Sequence, residues 1–335
     1  MREYQGLRVF DLCSLGCGAS VLAFGCAPMM GFCDRAKSLR ALETAWDCDI
    51  NFFDLARSYG YGQAESLFAE FARGKRDRLF IATKFGIEPD TSVRANAIRL
   101  LRGGFGGFRH LCRKERGAPD REDAFSGHWS PTRLRRGVER SLRELRTDYI
   151  DLLFLHSPPA RITCRPELFE ALDGLVSQGL IRSYGLSTDS FRAASGLAHA
   201  RYSIKAVQYP YCPASGNTDV LTDPPDSVIL NHVFGGRGTM RSAPAWIEVL
   251  ERTAGLPSET KRKLRADEAA SVLADVLINA AFNATGAQCV VISMFSPDHI
   301  AGNCRAVVEG SRFAATELTL LAHALRHSRA AEFQR

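Results

Sequence analysis

The chain has 335 residues, 45% of them hydrophobic and 24% charged, with a formal net charge of +6. This is an ordinary globular composition, long enough for one large core. The charge is modest for the length, no basic stripe interleaves with aromatics and no run approaches about 18 uninterrupted apolar residues, so neither nucleic acid nor a membrane is an expected partner.

The opening stretch MREYQGLRVFDLCSLGCG has no long apolar segment behind its positive charge and does not read as a signal peptide. There are ten cysteines but no CxxC pair. Cys13, Cys17, Cys26 and Cys33 cluster early at spacings that fit no zinc site. No metal is therefore expected. Cysteines used as small apolar fillers suit a reducing, cytoplasmic setting.

Short apolar runs recur along the chain. They are CSLGCG (13–18), INFFD (50–54), LFIATK (79–84), IDLLFLH (150–156), IRSYGLS (181–187), KAVQY (205–209), SVILN (227–231) and CVVIS (289–293). Most are continuously apolar rather than alternating, which suits strands buried on both faces. Helix signals lie between them. Asp34 can cap a helix with Leu39, Leu42 and Trp46 on one side. Ser130-Pro131 is an N-cap followed by proline at the first helical position, and Leu134, Val138, Leu142 and Leu145 then form a stripe. Pro166 opens a helix that Gly179 stops. Asp189 can cap FRAASGLAHA, Val272, Leu273, Val276 and Leu277 stripe the segment after Asp267, and Ser296-Pro297 repeats the cap-and-proline signal.

Strand then helix, repeated eight times, predicts a (β/α)8 TIM barrel in one domain over 1–335. A doubly wound sheet is the alternative, but LGCGASVLAFG does not supply its GxGxxG fingerprint. Two segments exceed plain βα loops: about 86–130, and about 234–266 with a short helix near Ala245–Thr253 and the basic run KRKLR. Both are expected over the C-terminal face of the barrel, where active sites form.

Three consecutive strands end in ionisable groups: INFF in Asp54, LFIAT in Lys84, IDLLFL in His156. Tyr59 follows Asp54 in a glycine-rich turn. Alone, each is commonplace as a cap, a solvated charge or a packing residue. Together on neighbouring strands they suggest chemistry. Asp54 would anchor Lys84, and Lys84 would lower the phenol pKa so that Tyr59 exchanges a proton with a carbonyl or alcohol. An imidazole in reach would orient the substrate oxygen.

At this point the sequence resembles the aldo-keto reductase superfamily. The motifs are FDLARSYGYGQAE, ATKFG (82–86), SLRELRTDYIDLLFLHSP (141–158), GLIRSYGLST (179–188) and VQY (207–209). The resemblance covers nearly the whole chain and implies a (β/α)8 barrel, a nicotinamide cofactor, usually NADP(H), and reversible reduction of a small carbonyl compound to an alcohol. It implies a catalytic tetrad of Asp54, Tyr59, Lys84 and His156, with Tyr59 as proton donor. It assigns Ser187, Thr188 and Gln208 to the nicotinamide carboxamide, with Thr188 departing from the usual Asn. It places Asn231 or His232, followed by Phe234 and Gly235, where relatives stack an aromatic ring on the nicotinamide. SMFSPDHIAGN (293–303) resembles the adenosine-phosphate loop, with Ser296 opening a helix, Asn303 retained, Gly302 in place of a Glu, and Ser293, Phe295 and His299 where relatives place Lys or Arg. A 2′-phosphate wants a basic partner. His299, Arg305, Arg237 or Arg241 would supply one, or the cofactor is NAD(H). Phe105, Phe108, His110, His128 and Trp129 are expected to shape the substrate pocket.

The alternative from another class is a cofactor-binding sensor or regulatory subunit with little turnover. The altered loop favours it and the intact tetrad opposes it. Composition leaves a monomer and a small homo-oligomer equally open.

Overall fold

The computed structural model describes residues 6–15, 18–89, 129–198 and 202–328. The first strands are β1 (Val9–Asp11) and β2 (Gly18–Ser20), paired antiparallel as a hairpin. Eight parallel strands then close a barrel: β3 (Leu22–Gly25), β4 (Phe52–Asp54), β5 (Phe80–Phe85), β6 (Ile150–His156), β7 (Ile181–Ser187), β8 (Ala206–Pro210), β9 (Ser227–Asn231) and β10 (Cys289–Ile292). β10 pairs with β3, completing the circle. This is the (β/α)8 TIM-barrel architecture.

The expected first strand at 13–18 is a correction. Residues Leu12–Ser14 form a 3₁₀ turn and Gly18–Ser20 belongs to the hairpin; the barrel begins at Leu22. The reason lies in packing. Leu12, Cys13 and Ala19 are buried against Phe52, Phe80, Leu152, Phe154 and Ile229, which fill the barrel interior. The run is apolar because it plugs the end of the barrel, not because it is a stave.

The interior layers explain where the polar strand ends point. Side chains alternate along a strand. Phe52, Ala82, Phe154, Ala206 and Ile229 face inward. Two residues further along the same strands stand Asp54, Lys84, His156, Gln208 and Asn231. They continue the inward rows to the C-terminal rim. The intervening Phe53, Leu155, Val207 and Leu230 face outward, into the core between barrel and helices. Phe53 meets Phe68 and Phe71 of α2 (Ala64–Ala72) at ring distances of 5.1 and 5.3 Å.

The helices follow their sequence signals. In α1 (Arg35–Asp47), Asp34 accepts a hydrogen bond from Lys37 N–H at 2.8 Å, a cap worth about 1 kcal/mol. Ser130 caps α3 (Pro131–Leu145), and Pro166 starts α4 (Pro166–Ser177). Helix α5 (Phe191–Ala198) is capped by Ser190 rather than Asp189: Ser190 Oγ accepts from Ala193 N–H at 3.2 Å.

The 234–266 segment is less a loop than a helical layer. It holds α6 (Arg237–Arg241), α7 (Ala243–Glu251) and α8 (Ser258–Leu264), the last containing most of KRKLR. Trp246 and Leu250 of α7 pack with Val272 and Val276 of α9 (Ala269–Thr285) and Leu321 of the final helix (Ala315–His327). Most of the 86–130 segment, with Phe105, Phe108, His110 and His128, lies outside the described residues. Trp129 is buried edge-on against Phe85, with ring centroids 5.5 Å apart. It contacts the wall at Gly86, whose φ is +126° and where any Cβ would lie 2.2 Å from the indole.

Among the described residues no helix is long and apolar enough to cross a membrane. Nor does any group of three or more His, Cys, Asp and Glu there have the geometry to hold a metal ion.

Candidate active site

Lys84 and Asp54 stand on adjacent strands of the rim, both almost wholly buried. Lys84 Nζ donates to Asp54 Oδ1 at 2.5 Å and to the Leu55 carbonyl at 2.9 Å. Its ammonium sits 5.1 Å from the centre of the Tyr59 ring. The Tyr59 ring in turn meets His156 edge-on, with centroids 6.3 Å apart and planes at 89°. The four side chains thus converge on one patch.

Tyr59 owes its position to backbone. It opens the turn Tyr59–Gly62, in which Gly60 has a φ of +57°. A Cβ at Gly60 would lie 2.5 Å from the Met29 carbonyl oxygen, so only glycine lets the turn close on the loop after β3.

The electrostatics differ from the expectation in one respect. Burial pushes the Tyr59 phenol above its ordinary 10.0, and the opposing pull of Lys84 does not reverse it. The phenol is held protonated rather than tuned toward phenolate. Lys84 is itself raised: burial alone would lower it, but the charge of Asp54 and hydrogen bonding to Asp54 and Tyr59 more than offset that. The His156 imidazole falls from 6.5 to about 3, through burial first and the nearby ammonium second. It is neutral at physiological pH. Among the described residues, His156 Nδ1 and the neighbouring Ser157 Oγ are buried without hydrogen-bond partners, and Ser157 has a φ of +50°.

Next along the rim come the residues assigned to a carboxamide. Ser187 Oγ donates to Gln208 Oε1 at 2.6 Å. Gln208 Nε2 donates to Asp54 Oδ1 at 3.3 Å. Ser187, Gln208, Asp54, Lys84 and Tyr59 therefore form one connected chain. Thr188 is buried beside them, but its hydroxyl bonds the Ser190 carbonyl at 3.1 Å.

The remaining predicted residues form separate groups. Asn231 Oδ1 lies 3.0 Å from His232 Nδ1, and His232 is exposed with a φ of +52°. Phe234 is half-buried, packed against the helical layer as well as the barrel core. Gly235 has a φ of +64° and sits 3.0 Å, by its absent Cβ, from Cys212 Sγ. Ser296 is the N-cap of α10 (Pro297–Val308), and its side chain makes no capping bond. His299 is exposed; Asn303 is buried, with Nδ2 3.5 Å from Met294 Sδ. Sequence reasoning missed the Leu55 carbonyl and the buried Arg57–Glu65 pair beside Thr83. Backbone atoms leave no residue signal. Arg57 and Glu65 were visible as charges in the tetrad motif.

The sequence profile of the aldo/keto reductase family matches residues 15–222. The chain belongs to the aldo/keto reductase family. Among its relatives, the aldo-keto reductase YhdN of Bacillus subtilis is 30% identical over 203 residues, 58% of this chain and 51% of that protein. Norsolorinic acid reductase A of Aspergillus parasiticus is 30% identical over 184 residues, 54% of this chain and 40% of that protein. The chain thus spans about half, or less, of the length of these curated relatives. In fold, the aldo-keto reductase AKR11C1 of Bacillus halodurans in its holo form superposes with a TM-score of 0.64 at 21% identity, covering 95% of this chain and 96% of its own. An aldo/keto reductase of Klebsiella pneumoniae, in complex with NADP and acetate, gives 0.63 at 19% identity, covering 96% and 97%.

Proposed function

We propose that this aldo/keto reductase is an NADP(H)-dependent oxidoreductase that reversibly reduces a small aldehyde or ketone to an alcohol. The observation that carries the reading is the buried Lys84–Asp54 pair with its ammonium 5.1 Å from the centre of the Tyr59 ring. When bound, the nicotinamide supplies a hydride to the carbonyl carbon. Tyr59 supplies the proton to the carbonyl oxygen, and Lys84 stabilises the phenolate left behind. Asp54 keeps Lys84 charged and in place. His156, neutral, would donate a ring N–H to the substrate oxygen. In the reverse direction the same phenolate takes the alcohol proton.

The residues present fit such a cofactor at its nicotinamide end. Gln208 has a second amide hydrogen beyond the one given to Asp54, and Ser187 holds its orientation. At the other end, the uncapped start of α10 offers backbone N–H groups to a phosphate. The NADP in the Klebsiella pneumoniae relative supports the choice of NADP(H) over NAD(H). Working in the cytoplasm, as a monomer or small homo-oligomer, completes this reading.

One pair of observations favours a second reading, a cofactor-binding sensor with little turnover. The Thr188 hydroxyl is spent on Ser190, and SMFSPDHIAGN contains no Lys or Arg. Fluorescence titration with NADPH and with NADH separates the possibilities. Tight NADPH binding with turnover of an aromatic aldehyde supports the reductase; tight binding without turnover supports the sensor; binding of neither coenzyme contradicts both.

A further inference from the structure

Beyond the tetrad, a cavity of about 250 Å³ lies on the outer flank of β5, lined by Arg57, Glu88, Arg133, Arg136 and Arg140 around a floor of Phe85, Gly86 and Gly137. Four guanidiniums and one carboxylate line it, with Arg140 Nε also held by Glu144 at 3.0 Å. Three of them, Arg133, Arg136 and Arg140, share one face of α3 by their i, i+3, i+7 spacing. The fourth is unusual. The Arg57 side chain is 3% exposed, yet its Nε and Nη2 are held by Glu88, whose side chain is 42% exposed. Among the described residues its Nη1 has no hydrogen bond, and neither has Glu65 Oε2, 4.0 Å away. Glu65 is engaged elsewhere, accepting from Thr83 Oγ1 at 2.7 Å.

A desolvated guanidinium must be compensated. Here most of the compensation comes from an exposed carboxylate, Glu88. A guanidinium fork matches a tetrahedral oxyanion in two-point fashion, and more than one Arg favours a doubly charged anion over a carboxylate. We propose that this cleft binds phosphate, either free or as the monoester group of a small phosphorylated metabolite, with Arg57 at its base and Arg136 and Arg140 closing over it. Glu88 occupies the place of the anion in its absence. The site is distinct from the proposed coenzyme-phosphate region at the end of β10, since β3 and β4 stand between β10 and β5. It backs onto the strand that carries Lys84, whose neighbour Phe85 forms part of the floor.

The test is isothermal titration of the full chain with inorganic phosphate and with glycerol 3-phosphate, each in saturating NADP⁺ so that the coenzyme's own phosphate region is filled. Both anions are expected to bind, at least about tenfold more weakly in Arg136→Gln and undetectably in Arg136→Gln/Arg140→Gln. A tighter monoester identifies a metabolite as the source; equal affinities identify free phosphate. Arg57→Gln would strand the buried Glu65 and can unfold the protein, so the exposed arginines are the informative probes. Absence of binding for both anions overturns the proposal, as does binding undiminished in the double variant.

Discussion

Gln208 donates to the same Asp54 oxygen that holds Lys84, at 3.3 Å against 2.5 Å for the ammonium. Asp54 is therefore the joint between the residues assigned to the coenzyme and those assigned to proton transfer. Removing its charge strands a buried ammonium whose remaining partner is the Leu55 carbonyl. Asp54→Asn is expected to cost about 3–5 kcal/mol of stability. Urea unfolding checks this; an unchanged midpoint would mean that the pair contributes nothing net.

His156 sets a pH dependence of stability. Its folded pKa of about 3 lies below the ordinary 6.5. Between those values the unfolded chain takes up a proton that the native state refuses. Stability is thus unaffected above pH 6.5 and is lost as pH falls toward 3, at up to about 1.4 kcal/mol per pH unit. Thermal melts of wild type and His156→Gln across pH 4 to 7, roughly the window in which histidine titrates, should diverge, with the variant losing less on acidification.

A carboxamide held as proposed would be bound loosely at Thr188. The Thr188 hydroxyl faces the Ser190 carbonyl and lacks the paired donor and acceptor of an amide. Thr188→Asn is expected to lower the NADPH dissociation constant by about tenfold. Equal affinities in a fluorescence titration would show that this position does not touch the carboxamide.

Gly60 fixes the reach of Tyr59. With a φ of +57° and the Met29 carbonyl 2.5 Å from any added Cβ, Gly60→Ala must move the turn. It is expected to cost about 1–3 kcal/mol in stability and to lower turnover more than it weakens NADPH binding. A variant with wild-type melting and turnover would show that the turn yields freely.

Much of this was legible in the chain. Asp54, Lys84 and His156 stand out because a polar group ends an apolar strand, and period-two alternation carries each inward row to the rim. The first strand was misread because 13–18 and 22–25 are equally short and apolar; only the closed barrel distinguishes a plug from a stave. The sign of the Tyr59 shift was also misread. Sequence names the ammonium that lowers the pKa but not the burial that raises it more. The Asp189 cap failed by one residue, because Ser190 offers the same local chemistry. Gln208 was assigned to the coenzyme, but its bond to Asp54 joins residues far apart in the chain and has no local pattern to betray it.

In the proposed reaction Tyr59 delivers the proton while NADPH delivers the hydride. The decisive measurement is the rate of NADPH consumption with an activated aromatic aldehyde, for wild type and Tyr59→Phe, alongside NADPH binding to each. Turnover by wild type, a loss of about 10²–10⁴-fold in the variant and unchanged NADPH affinity are expected. Undiminished turnover by Tyr59→Phe would contradict that role for Tyr59.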